Sequence, residues 1–240
     1  MRVLWFTVAL ACLATPLWAQ QINFSIADGG SLTTRTVQIF TLITVLSLVP
    51  GLAVMVTCFP FIVTVLAILR QALGLQQSPP NMLIVSLALF LTYFVMEPVF
   101  TQAWTHGVQP LIEGSITPDV AFTKVAEPFR VFMSTRLDHA TFDELRSLRP
   151  DFAGVKTTTD APLSLLVPSF LLSEIQRAFE IGFLVYLPFL IIDLVVAAVL
   201  MSMGMMMVPP AIVSLPFKLA FFVVANGWTL VAGALVRSYF

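Results

Sequence analysis

Met201, Met203, Met205, Met206 and Met207 are half of the chain's ten methionines, gathered within seven residues. Methionine is unbranched, flexible and polarizable, so it re-packs against varied surfaces. At a turn, repeated round a symmetry axis, Met205, Met206 and Met207 would form a soft apolar constriction. Such a constriction blocks ions by dewetting and can still part for a polypeptide. The plain alternative is helix-end packing. Asp193 is the second notable residue. It sits inside PFLIIDLVVAAVL with apolar neighbours on both sides. A carboxylate in that setting must face protein, a cation or water, either as a charge in a pathway or as a buried contact that fixes helix packing. Glu174, before one apolar stretch, and Lys218, inside the next, are two lone charges that could pair within or between protomers and set register.

Other chemistry is thin. The sequence carries no G-x-S-x-G, H-E-x-x-H, P-loop or dinucleotide fingerprint, so it points to no enzyme, metal or cofactor. His106 ends an apolar span and His139 follows Asp138; both read as interfacial or solvated residues. Cys58 reads as a small core hydrophobe. A secondary transporter using Asp193 and Glu97 as a proton relay would call for internal repeats, and none is visible.

These residues belong to a chain of 240 residues, 58% hydrophobic and 10% charged, with a mean hydropathy of +0.95. That composition places it in membrane lipid rather than among soluble domains. A net charge of −1 gives no basic field for nucleic acid. The charge is segregated. Residues 36–96 hold only Arg70, and residues 181–236 hold only Asp193 and Lys218, whereas residues 105–160 hold fourteen charges. The plan is an apolar block, a polar domain and a second apolar block.

The expected class is an all-α integral membrane protein with four long hydrophobic helices in two hairpins. Residues 1–19 read as a secretory signal peptide: Arg2, an apolar core from Val3 to Leu13, Pro16 and Ala19. Residues 20–36 read as an exposed arm. The first hairpin spans 37–104, with a helix over Leu52–Leu69 kinked at Pro60 and a second over Met82–Trp104 capped by Asn81 and broken at Glu97-Pro98. A helical domain follows over 105–166. Thr117-Pro118-Asp119 opens its first helix, and Thr141 to Glu144 matches a capping box for its second. Two short amphipathic helices bury little area alone, so this region is expected to pack on a neighbouring subunit or to be mobile. The second hairpin spans 167–240, with helices over Phe183–Met203 and Ala211–Val236. Gly204 and Pro209-Pro210 fix the reversal between them. With the signal peptide cut, the mature N-terminus and the 105–180 region lie outside, and Arg70 and Lys218 fall on the inner side, as the positive-inside rule asks.

The stretches VPSFLLSEIQRAFEIGFLVYLPFLIIDLVVAAVLMSMGMMMVPP (167–210), LPFKLAFFVVANGW (215–228), LRQALGLQQSPPN (69–81) and LALFLTYFVMEPVF (87–100) resemble the FliP family of flagellar type III export-gate proteins. The resemblance covers nearly the whole chain after the signal peptide. It implies a homopentamer in the inner membrane at the flagellar basal body, joined to FliQ- and FliR-type subunits and to FlhA- and FlhB-type components. It implies a gate for unfolded flagellar subunits, with Met205, Met206 and Met207 as its gasket. It implies a contact between subunits at Glu174 and Lys218, and a family aspartate at Asp193. Many apolar faces would then be buried against other subunits rather than lipid. The chain departs from the family at Pro60-Phe61, where Thr-Arg is usual, and at Asn226, where aspartate is usual.

Overall fold

A computed structural model describes residues 32–240 apart from 76–78, 153, 156 and 206, with side chains from residue 36 on, 45 excepted. The signal-peptide segment 1–19 lies outside the described residues, as does the arm up to residue 31. The described residues are helical and contain no strand. Helix α1 spans Leu32–Met55 and takes in the last residues assigned to the arm. The chain divides into two compact units at Leu46 and Ser47. Everything that follows concerns the second.

The expected continuous helix over Leu52–Leu69 is instead two. The chain turns at Val56 to Cys58, where the Thr57 hydroxyl donates to the Val54 carbonyl at 2.9 Å. Helix α2, Phe59–Ala72, then starts with Pro60 in its first turn. There the missing N–H has no intrahelical partner to lose, so proline begins a helix rather than kinking one. Phe61, Ile62, Val65, Leu66, Leu69 and Ala72 are all buried. This short helix is therefore the centre of the molecule and not a face for lipid. The Pro60-Phe61 departure falls on a helix start and a buried ring.

Helix α3, Asn81–Ala103, begins one residue earlier than expected, with Pro80 before it. Asn81 is helical and is not the cap; its Oδ1 accepts a hydrogen bond from the Arg70 guanidinium. Pro98 does not break α3. The helix continues through a π turn, Trp104–Val108, into the short α4, Gln109–Ile112. The π turn brings Gly107 against helix α5, Pro118–Arg136, where a Cβ would lie 2.4 Å from Val125 Cγ2.

Helix α6 spans His139–Ser147. Its cap is Asp138 and not Thr141, because the helix starts three residues earlier than the capping-box pattern suggests. The Asp138 carboxylate accepts from the Thr141 backbone N–H and hydroxyl, both at 2.9 Å. Those bonds hold the Asp138 carboxyl below its ordinary value of 3.8. The cap's contribution is complete above that ordinary value and is lost as pH falls through the lowered one. Acid should therefore lower the protection of the Thr141 and Phe142 amides against exchange, relative to the intrinsic rate at each pH, and Asp138→Asn should remove that pH dependence.

The polar domain has its own core. Met133, Leu137, Phe142 and Phe152 pack on Leu165, Leu166 and Phe170. The last three belong to helix α7, Leu163–Ser202. The domain is thus closed by the first turns of α7 within the same chain. Helix α7 starts twenty residues before the expected Phe183. Hydropathy discounts Glu174, Arg177 and Glu180, but a helix tolerates charges that find partners. Its 40 residues extend ~60 Å, about twice the hydrocarbon thickness.

The last expected helix, Ala211–Val236, is broken. Helix α8, Pro210–Val224, and helix α9, Gly227–Arg237, meet at a 62° bend. Asn226 sits there at φ 53°, the left-handed region that asparagine tolerates better than most residues. That gives a physical account of Asn226. Gly227 must follow it, since a Cβ would lie 2.1 Å from the Phe222 ring. Among the described residues three helical stretches are long and apolar enough to cross a membrane, and α8 with α9 would make a fourth as one bent pair.

Helices α2 and α7 form the tightest pair. Gly182 of α7 faces Ile68, whose Cδ1 would be 2.4 Å from a Cβ. Gly182→Leu should therefore overpack the contact and destabilise by about 1–3 kcal/mol. Adding Ile68→Ala should recover part of that loss, read by thermal unfolding of the detergent-purified chain.

Candidate functional site

The loop between α7 and α8 is defined by its two ends. At the first, the Met205 N–H donates to the Leu200 carbonyl and the Gly204 N–H to the Met201 carbonyl, both at 3.0 Å. These are the two bonds of a Schellman cap, and they place Gly204 at φ 75°, where glycine has no Cβ to strain. At the second, Pro209 precedes α8 and Pro210 is its first residue. Proline there cannot extend α8 backwards. Between the ends lie Met205 to Val208. Met201, Met203, Met205 and Met207 are all exposed, Met207 at 97%. Met206 lies outside the described residues. An all-but-free thioether at the tip of a rigidly capped hairpin has no packing role within its own protomer.

Below the loop, three helices are tied by one ion pair. Lys218 Nζ of α8 lies 2.6 Å from Asp193 Oδ2 of α7 and donates to the Ala72 carbonyl at the end of α2, at 3.0 Å. Ser214, one turn before Lys218, donates to Asp193 Oδ1 at 2.6 Å. Asp193 is therefore a packing contact in the protomer. The sequence held a signal for this pair. Asp193 lies 12 residues before Met205 and Lys218 lies 13 after it (205 − 193 and 218 − 205), and residues equidistant from the turn of an antiparallel hairpin face each other. Ser214 and the Ala72 carbonyl carried no such signal.

Glu174 has a different set of partners. It is fully buried. Arg136 of α5 donates Nε to its Oε1 at 3.3 Å, and the Tyr239 hydroxyl donates to Oε2. Arg177 approaches to 3.8 Å. The Arg136 guanidinium also donates to the Ser238 carbonyl at 2.6 Å and lies 4.1 Å from the Tyr239 ring centre. Burial, then the neighbouring Glu174 carboxylate, hold the Tyr239 phenol above its ordinary value. This cluster fastens the polar domain and residues Ser238 and Tyr239 to α7. Within the protomer Glu174 and Lys218 therefore do not meet. Each is buried and already paired, Glu174 with Arg136 and Lys218 with Asp193. Sequence reasoning passed over Arg136 and Tyr239, since both sit in stretches that read as ordinary polar surface and chain end.

The remaining candidates are dispersed. His106 lies exposed in the π turn beside Gln102, Lys124 and Glu127. His139 is the first residue of α6. Cys58 is buried, and burial pushes its thiol up to about 12, so it is a neutral core residue. Glu97 accepts from Thr101 at 3.3 Å, while Asp193 is held by Lys218 and Ser214, so the described contacts do not join the two carboxylates. Among the described residues no group of three or more His, Cys, Asp or Glu could hold a metal.

The FliP family model matches residues 42–235 of this chain. The chain is 48% identical over 237 residues to the flagellar biosynthetic protein FliP of Caulobacter vibrioides, covering 96% of this chain and 88% of that protein. It is 48% identical over 221 residues to the FliP of Agrobacterium fabrum, covering 90% and 89%. It is 43% identical over 225 residues to the FliP of Bacillus subtilis, covering 90% and 97%.

Proposed function

We infer that this chain, which belongs to the FliP family, is the membrane-embedded gate subunit of the flagellar protein export apparatus. Its membership and its apolar helices make it a membrane component of that apparatus. The finer reading is ours. Several copies, five by family analogy, surround a central path in the inner membrane, with the polar domain on the periplasmic side. FliQ- and FliR-type subunits complete the gate, and FlhA- and FlhB-type components deliver unfolded flagellar proteins to it.

The single observation that carries this reading is the exposed methionine loop. Its backbone is fixed at both ends by the Schellman cap and the paired prolines, while Met205 and Met207 are exposed. A rigid frame with soft side chains suits a ring that must close on itself at rest and on a passing chain in transit. An apolar ring also resists wetting, so it stops ions without a moving lid. The ion pair beneath the loop holds α7 and α8 in place, so the ring's diameter is set by the helices and its closure by the methionines.

The reading is tested by purifying the chain with its gate partners and weighing the assembly by native mass spectrometry. A ring of several copies supports it, and a monomer in every preparation refutes it. In cells, loss of the chain should abolish filament assembly without blocking secretion by unrelated routes.

A further inference from the structure

Among the described residues, several charges beside the apolar stretches have no ionic partner, and two of opposite sign sit next to apolar surface. One is Glu180. It is exposed on α7 amid Phe179, Phe183 and Leu184, and its described contact is the Gln176 amide donating at 3.2 Å. The other is Arg70, which spends one of its five donors on Asn81. Apolar surroundings disfavour a lone charge of either sign, so each should have an opposite charge in the working assembly.

The shape around Arg70 indicates where that charge comes from. Arg70 lines a groove of about 810 Å³ between α2 and the α7–α8 side, together with Val63, Ala67, Ile68, Phe179 and Lys218. The groove's charged residues are both basic, and Lys218 is already neutralised by Asp193. Arg70 is thus its uncompensated charge. Successive helix positions are separated by about 100°, so Glu180 points away from the side of α7 on which Phe179 lines the groove. One chain therefore carries a basic apolar groove on one side and an acidic apolar helix edge on another. A head-to-tail contact between such surfaces generates a ring when the rotation closes.

We propose that the Arg70 groove receives the Glu180 edge of α7 from the next copy of this chain, so that every subunit contact carries one Arg70–Glu180 ion pair. The pairing rests on the ring inferred above and names residues that set its register. It differs from a contact between Glu174 and Lys218, both of which are neutralised inside the protomer. An anionic lipid headgroup on Arg70 is the competing occupant.

The test uses the full chain expressed with its gate partners. Arg70→Glu and Glu180→Arg should each lower the recovered ring about thirtyfold or more, the lower end of the cost of losing one member of a buried charge pair. The two exchanges together should restore most of it. Arg70→Cys with Glu180→Cys, oxidised in membranes, should give a ladder of disulfide-linked multimers, and this arm remains decisive if a charge reversal fails to fold. A wild-type ring with neither rescue nor ladder overturns the pairing alone. A chain that stays monomeric with its partners overturns the ring and the pairing together. Loss of co-purifying anionic lipid in Arg70→Glu with the ring intact assigns the groove to lipid and also overturns the pairing.

Discussion

Lys218→Ala will destabilise the protomer by about 3 kcal/mol, the lower end of the usual cost of removing one partner of a buried ion pair. The lower end applies because the Lys218 side chain is 6% exposed but that of Asp193 is 30% exposed, so water recovers part of the lost solvation. Without the ammonium, the Asp193 carboxylate keeps only Ser214, and the Ala72 carbonyl loses its donor at the end of α2. Helix α8 would then lose its Lys218 tie to the end of α2. Asp193→Asn should be milder, since an amide oxygen can still accept from Lys218. Replacing both, as Asp193→Leu with Lys218→Met, should recover much of the stability, because desolvation offsets much of a buried pair's attraction. Denaturant unfolding of the detergent-purified chain reads all three. A Lys218→Ala protein as stable as wild type would mean the pair does not hold the hairpin. Motility rescue separates stability from register: the apolar double variant should fold yet export less well if the pair also fixes how α7 meets α8.

The same residues show what the sequence could and could not reveal. That Asp193 needed a partner followed from its apolar surroundings. That Lys218 was the partner followed from the hairpin's symmetry about Met205, but the lone charge at Glu174 drew attention first. Glu174's partner in the protomer, Arg136, lies 38 residues away across the polar domain, and nothing local marks it. The reversal between α7 and α8 was legible because glycine and paired prolines act through backbone geometry, which needs no tertiary context. Helix limits were less legible. Pro60 reads alike as a kink or a first turn, and only the burial of helix α2 against α7 and α3 decides. The break at Asn226 depends on one left-handed residue and on the Phe222 ring beside Gly227. The early start of α7 depends on charges being satisfied by groups distant in sequence. Hydropathy averages over all of these.

The second large effect concerns the methionines. Met205→Ala, Met206→Ala and Met207→Ala together remove the thioethers from every copy's loop while leaving Gly204, Pro209 and Pro210 untouched. The Schellman cap is made by backbone groups, so the hairpin should keep its shape and the subunits should still assemble. The side chains that fill the centre would be gone, leaving a wider hole that wets. Valine or isoleucine in the same places should close the hole at rest but slow export, because β-branched side chains have restricted χ1 and re-pack less freely. Stability of the protomer should change little, since exposed side chains contribute little packing.

The direct measurement is ion permeability of inner membranes carrying the triple-alanine chain with its gate partners, alongside native mass of the same assembly. The methionine-gate account predicts an intact ring that passes small ions, where the wild-type ring holds them back. An intact triple-alanine ring that stays ion-tight would contradict it and return Met205 to Met207 to the role of a helix-end turn.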